Sequence, residues 1–221
     1  MSPAGPPSTE PPGRRLSADA GVAVAVLAAG GGSRLGGDRP KALASFAGRA
    51  LVSYALEAAV ASGQGPVLLV VGSAGDDVAA VAPDGVEIVR NDEWETGIAS
   101  SAAAALGRLE DRGEIGAVLI GLADEPLVGP EAYVRLGGAY SRGERLAVAT
   151  YDGHRGHPVL VAREHWGEAR SLAGDEGARA LMRSHPVTEV PCDGTGEPDD
   201  VDTPEDLVAL EARWRSKTRS A

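Results

Sequence analysis

Cysteine occurs once in these 221 residues, as Cys192. One thiol excludes an internal disulfide and any zinc site built on several cysteines. A small, half-buried side chain is the expectation for it. No apolar run reaches the length that spans a bilayer. The N-terminal stretch Met1–Ala20 is rich in proline, glycine and serine and lacks an apolar segment. It reads as a disordered tail rather than a signal peptide or a strand. Together these absences point to the cytoplasm. Positive charge is also short. The formal net charge is −11, which argues against nucleic acid or an anionic membrane as the main partner. It does not argue against a nucleotide, because the local field of a binding loop decides that. No Gly-Lys pair occurs anywhere, so a Walker A loop is excluded. The dinucleotide pattern G-x-G-x-x-G fails as well. Begun at Gly30 it meets Leu35 at the third glycine, and begun at Gly31 it meets Ser33 at the second.

What the chain does have is a glycine-rich loop directly after the apolar run Val22–Val26. Residues 27–41 read Leu-Ala-Ala-Gly-Gly-Gly-Ser-Arg-Leu-Gly-Gly-Asp-Arg-Pro-Lys. The consecutive glycines Gly30, Gly31 and Gly32 leave backbone N–H groups open to close approach by an oligophosphate. Arg34 and Lys41 add the positive charge a triphosphate needs. The bland alternative is a flexible surface loop. The stretch resembles the signature of nucleotidyltransferases that use a nucleoside triphosphate and release pyrophosphate, L-A-[AG]-G-x-G-x-R-[ML]-G followed by lysine. That resemblance implies nucleotide contacts from Leu27, Ala28, Ala29, Gly30, Gly31, Gly32, Ser33, Arg34 and Lys41. Arg34 and Lys41 would act in catalysis.

Strand-like and helix-like segments alternate along the rest of the chain. Val22–Ala28, Pro66–Val71 and Ala117–Leu122 are apolar runs that suit buried parallel strands. Val86–Val89, Leu146–Tyr151, His157–Val161 and Val187–Val190 are further strand candidates. Helices are expected over Arg49–Ser62, Ala74–Val81, Ile98–Leu109, Glu131–Tyr140, Glu164–Leu172 and Gly177–Ser184. A last one starts at Thr203-Pro204-Glu205-Asp206, with threonine as N-cap, proline at the first helical position and acids in the first turn. This order predicts an α/β fold with a mostly parallel sheet between helical layers. Ligands then sit beyond the carboxyl ends of the strands. The family resemblance makes that sheet Rossmann-like, of the nucleotide-diphospho-sugar transferase (GT-A-like) type. One domain over 21–215 is expected, with tails at 1–20 and 216–221, in a monomer or homodimer.

Joining a phosphate nucleophile to the α-phosphate of a triphosphate brings two highly charged groups together, so Mg²⁺ and fixed cations are needed. Mg²⁺ takes carboxylate oxygens and keeps several waters. Asp124, at the end of a strand, is the first candidate ligand and a catalytic residue. Its surroundings, Gly121-Leu122-Ala123-Asp124-Glu125-Pro126-Leu127-Val128, resemble the family's strand-end Asp-x-Pro element. Otherwise Asp124 merely closes the turn before the Glu131 helix. Glu125 stands where the family has an uncharged residue, and its role is open. Asp199–Leu207 resembles D-[IV]-[DN]-T-P-E-[DE]-L, which implies Asp202 as second metal ligand, with Asp200 as the alternative. The same residues also make a well-capped helix start.

Three further stretches narrow the resemblance to the molybdopterin cytidylyltransferases and guanylyltransferases. Asn91–Ser101 resembles N-x-x-W-x-x-G-[MI]-x-x-S and implies nucleotide contacts from Asn91, Gly97, Ser100 and Ser101. Capping of the following helix is the structural alternative. Arg155-Gly156-His157-Pro158-Val159 resembles R-G-H-P-[VI] and implies that Arg155 and His157 bind a phosphorylated small-molecule acceptor. A lone histidine is as often structural. Leu172–Arg179 resembles L-x-G-D-x-G-A-R, with Asp175 on the acceptor side. Ala28-Ala29 at the loop start favours CTP over GTP by the same resemblance. One departure is the longer spacing from Arg34 to Pro40-Lys41, which is similar to the methylerythritol-phosphate cytidylyltransferases. Molybdopterin, a phosphosugar alcohol or another phosphorylated molecule stay open as acceptor. A nucleotide-sensing module and a Rossmann-type oxidoreductase are the readings from other classes.

Overall fold

The computed structural model of the protein describes residues 20–30, 40–174 and 178–218. Among them, strand β1 (Gly21–Ala28) lies inside a seven-stranded sheet. With β4 (Val67–Val71), β5 (Glu87–Arg90), β6 (Ile115–Leu122), β7 (Leu146–Tyr151), β8 (His154–Ala162) and β9 (Thr188–Pro191), the order is β5-β4-β1-β6-β8-β7-β9. All neighbouring pairs are parallel except the two made by β8, which runs against β6 and β7. The sheet is therefore mostly parallel and flanked by helices, as the alternation predicts.

Period-two side-chain alternation sends successive residues of β1 into different cores. Val22, Val24 and Val26 pack with α1 (Leu51–Ala61) and α4 (Pro130–Ser141) on one face. Ala23, Ala25 and Leu27 pack with α3 (Ile98–Leu109), α5 (Trp166–Ser171) and α6 (Ala178–Ser184) on the other. With both faces covered, the strand has no polar side and reads as a continuous apolar run. A short α2 (Gly75–Ala79) packs through the buried Val78. A third cluster docks α7 (Pro204–Thr218) on a small hairpin. Phe46, Tyr54 and Trp214 meet edge to face there, with centroids 5.2 to 6.4 Å apart.

That hairpin corrects the reading of residues 49 and 50. The helix expected from Arg49 begins at Leu51, because Arg49–Ala50 (β3) pairs with Ser45–Phe46 (β2). Ala47 and Gly48 both take positive φ, 46° and 86°, the backbone of a two-residue hairpin turn. Cys192 is also corrected. It is fully buried rather than half-buried, and its N–H donates to the Thr150 carbonyl at 2.8 Å. Helix α7 runs to Thr218, into the stretch expected as a tail. No helix among the described residues is long and apolar enough to cross a membrane.

Candidate active site

Three segments remote in sequence meet beyond the carboxyl end of β6. The N–H of Ala123 donates to the Leu27 carbonyl at 3.1 Å, extending the β1–β6 register one step past the strands. Asp124 follows at the edge. The C-terminal segment then runs alongside. Gly129 N–H donates to Thr195 O, Glu197 N–H to Leu127 O and Val201 N–H to Asp124 O, each at 3.0 Å. A Cβ at Gly129 would lie 2.2 Å from the Thr195 carbonyl, and one at Gly196 2.2 Å from that of Leu127, so these two positions must be glycine for the backbones to approach. Val201 is buried in the aromatic cluster, and Asp202 is thereby held beside Asp124. A capping box fixes what comes next: Thr203 Oγ1 accepts the Asp206 N–H, and the Asp206 carboxylate accepts the N–H groups of Thr203 and Asp202. The Thr203 hydroxyl and backbone hold the Asp206 carboxyl below its usual range.

Lys41, in a single 3-10 turn at Lys41–Leu43, completes the constellation. Its Nζ lies 2.6 Å from Asp124 Oδ2 and 2.5 Å from Asp202 Oδ1. Burial alone would lower its pKa. The two carboxylates outweigh that and raise it, Asp124 more than Asp202. Two carboxylate oxygens thus already converge on one cation. An all-oxygen pair of this kind fits a hard divalent ion such as Mg²⁺ or Mn²⁺. Asp200 instead lines the adjoining cleft.

The cleft, of about 540 Å³, opens on the α3 side of the sheet edge. Leu27, Ile98, Ala102, Ile120, Leu122 and Met182 form its apolar walls, and Glu125, His157, Arg155 and Arg183 its polar parts. β8 explains how His157 arrives there. Val148 pairs with Val159 and Ala149 with Gly156, so His157 and Pro158 bulge out of the ladder, and a bulge re-aims side chains. Its Nδ1 lies 2.7 Å from Glu125 Oε1, and its carbonyl accepts the Tyr151 hydroxyl at 2.8 Å. Glu125 is 6% exposed. Its Oε2 is buried and makes no hydrogen bond among the described residues. Sequence reasoning left this residue without a role. The available signal was a charged side chain at a position where the family motif is neutral.

The Asn91–Ser101 stretch builds the floor beneath α3. The Asn91 amide donates to Ser100 Oγ at 2.8 Å and Ser101 Oγ at 3.0 Å, and its oxygen accepts the Glu93 N–H. Both amide protons are therefore used internally. Gly97 precedes the helix at φ 113° with no side-chain cap. The Gly174 carbonyl takes the Ala99 N–H at 3.1 Å, docking the 172–174 segment on the helix start. Ala28 and Ala29 are buried, and the Ala29 carbonyl accepts the Ser73 N–H. Arg155 is exposed and donates to Glu189 at 2.8 Å. Gly31, Gly32, Ser33, Arg34 and Asp175 lie outside the described residues.

A mostly parallel sheet with an inverted strand and a lysine–carboxylate edge defines the class, and the comparisons agree. The MobA-like NTP transferase domain matches residues 24–190. The chain belongs to that family of nucleotidyltransferases. The nicotine blue oxidoreductase of Paenarthrobacter nicotinovorans is 33% identical over 196 residues, spanning 84% of this chain and 94% of that protein. The crystal structure of Rv0371c from Mycobacterium tuberculosis H37Rv is 32% identical with TM-score 0.75, covering 87% of this chain and 97% of its own. Its manganese complex gives 30% identity and TM-score 0.73, over 87% and 98% of the two chains. A nucleotidyl transferase from Methanothermobacter thermautotroptrophicus, at 17% identity and TM-score 0.72 over 89% and 99%, shares the fold.

Proposed function

We propose that this nucleotidyltransferase transfers a nucleoside monophosphate from a nucleoside triphosphate, CTP by preference, to a phosphorylated small molecule of the molybdopterin type. The observation that carries the reading is Lys41 set between Asp124 and Asp202. An acceptor phosphate oxygen forms the new bond to the α-phosphorus, the bond from that phosphorus to the β-phosphate bridging oxygen breaks, and pyrophosphate leaves. Lys41 supplies a fixed positive charge where negative charge builds in the transition state. Asp124 and Asp202 would hold Mg²⁺ or Mn²⁺, which when bound screens the phosphates from each other. The manganese complex of the similar mycobacterial protein supports a divalent ion. Arg34 and the glycines of the loop are proposed to bind the triphosphate. Asn91 and Ser101 act by shaping the α3 start rather than by free side-chain groups, while Gly97 and Ser100 border the nucleotide. His157, buttressed by Glu125, and Arg155 face the acceptor in the cleft, and Asp175 is proposed from its motif to act on the acceptor as well. The preference for CTP rests on the Ala28-Ala29 resemblance, and a cytoplasmic, single-domain enzyme is the accompanying reading.

Pyrophosphate release from each of the four nucleoside triphosphates with Mg²⁺ or Mn²⁺, against a panel of phosphorylated acceptors, tests the proposal. Release with no pair refutes it. Faster turnover of GTP than CTP with every acceptor refutes the cytidylyl assignment alone. A second reading comes from the name of the Paenarthrobacter relative, which is an oxidoreductase. It requires nicotinamide binding without the G-x-G-x-x-G loop. Quenching of NADH fluorescence on addition of the protein, followed by substrate-dependent NADH oxidation, would favour it over transfer.

A further inference from the structure

Outside the proposed active site, two of the chain's four histidines face each other across the α5–α6 pair. His165 ends the 3-10 turn Arg163–His165 that leads into α5, and Glu168 lies one turn on, on the same face. His185 follows the last residue of α6. The imidazole rings have centroids 4.8 Å apart, and His185 Nε2 lies 2.7 Å from Glu168 Oε2. One ligand atom from each of the three residues falls within 4.8 Å of the others. We propose that His165, Glu168 and His185 form a binding site for a divalent transition metal of the zinc class, independent of the nucleotide reaction.

The donor chemistry selects the ion. Two imidazoles and one carboxylate suit Zn²⁺, Co²⁺ or Ni²⁺, whereas Mg²⁺ prefers oxygen alone. The set fills three positions of a tetrahedron and leaves the fourth to water. Bonds of about 2.1 Å put tetrahedral ligand atoms roughly 3.4 Å apart, so a separation of up to 4.8 Å must close by up to about 1.4 Å. His185 can supply that by side-chain rotation, since it sits beyond the helix end and is partly exposed. His165 stands on a rigid support. Arg163 donates to the carbonyls of Ile115 and Glu110 at 2.7 and 2.8 Å and stacks over the Trp166 ring. Trp166 donates its indole N–H to Val161 O at 3.0 Å. One ligand is thus preorganised and the other adjustable. The Glu164 carboxylate, 3.8 Å from His165 Nε2, adds negative charge beside the site.

Occupancy has a structural consequence. α6 lends Met182 and Arg183 to the cleft wall, and its Leu181 and Met182 share a core cluster with Trp166 and Ala169 of α5. A metal bound at both ends of this pair would clamp α6 against α5 and hold that wall in place. The competing explanation is that Glu168 and His185 make a plain hydrogen bond, with His165 a bystander.

Titration of the whole protein with Co²⁺ in excess Mg²⁺, which occupies the oxygen site, separates the two. We expect one equivalent of Co²⁺ with the visible absorption of a nitrogen-coordinated ion, and displacement by Zn²⁺. His165→Gln and His185→Gln should each lower the affinity at least about tenfold, and Asp124→Asn should leave it unchanged. Amide exchange in α6 should slow on Zn²⁺ addition in the wild type and not in His165→Gln. Absence of a spectrum, or binding untouched by His165→Gln, overturns the proposal. Binding lost in Asp124→Asn does so too, because it assigns the ion to the other site.

Discussion

Lys41 holds together two carboxylates that would otherwise repel, and its removal therefore has two opposite effects. Lys41→Ala should lower turnover by about 10²- to 10³-fold, the cost of losing one preorganised charge contact to a transition state, ~2.7–4 kcal/mol. In the absence of nucleotide it should tighten Mn²⁺ binding, because Asp124 and Asp202 lose their competing cation. Steady-state kinetics and Mn²⁺ electron paramagnetic resonance give the two answers. Turnover within a few-fold of wild type would reduce Lys41 to a surface residue. Asp124→Asn should abolish metal-dependent transfer while leaving metal-free nucleotide binding in place, as calorimetry with and without Mg²⁺ would show. Burial raises the Cys192 thiol above its ordinary pKa, so it should resist thiol reagents at pH 8 in the native protein and react on unfolding. Rapid native labelling would contradict the packing. At this scale Lys41, Asp124 and Asp202 were legible because each sits in its own short motif. Glu125 was not. Its chemistry comes from His157, 32 residues away, and from burial that no local pattern encodes.

The start of α7 ties stability to site geometry. Thr203→Ala removes one half of the capping box and should cost about 0.5–2 kcal/mol in thermal or urea unfolding. Activity should fall further than stability alone explains, because the same box orients Asp202. An activity loss that vanishes at lower temperature would separate the cap from the site. This element was readable from Thr-Pro-Glu-Asp, where each residue type has a local task. Two other elements were not read. The β2–β3 hairpin turns on Ala47-Gly48, and alanine at positive φ is not a usual turn signal. The inversion of β8 did have a signal. Asp152-Gly153 takes φ of 49° and 77° between β7 and β8, and Asp-Gly between two apolar runs marks an antiparallel hairpin. The alternation of strands and helices outweighed it.

Across the whole molecule, one sheet serves as wall to both large cores, so neither core can lose its packing without exposing the other. Trp166 reports from the α5 side and Trp214 from the α7 cluster. Unfolding followed by tryptophan fluorescence and by far-ultraviolet circular dichroism should therefore coincide in one transition. An earlier fluorescence step would identify the α7 cluster as a separately melting unit. The general architecture was legible because buried strands and amphipathic helices differ in period and composition. The meeting of 41, 124 and 202 depended on the chain returning along residues 124–129, which is a tertiary event.

The inverted course of β8 has a wider consequence. Residues 151–158 form a hairpin tip whose two arms pair with each other, Thr150 with Arg155 and Tyr151 with His154, and β8 joins β6 only from Val159 onward. Such a piece is exchangeable. On the proposed assignment of Arg155 and His157 to the acceptor, divergence within it would retarget the second substrate and leave the proposed triphosphate loop unchanged. Transplanting residues 151–158 between relatives should accordingly carry acceptor choice across and leave nucleotide choice behind, an outcome that kcat/KM on two acceptors and two nucleotides would reveal.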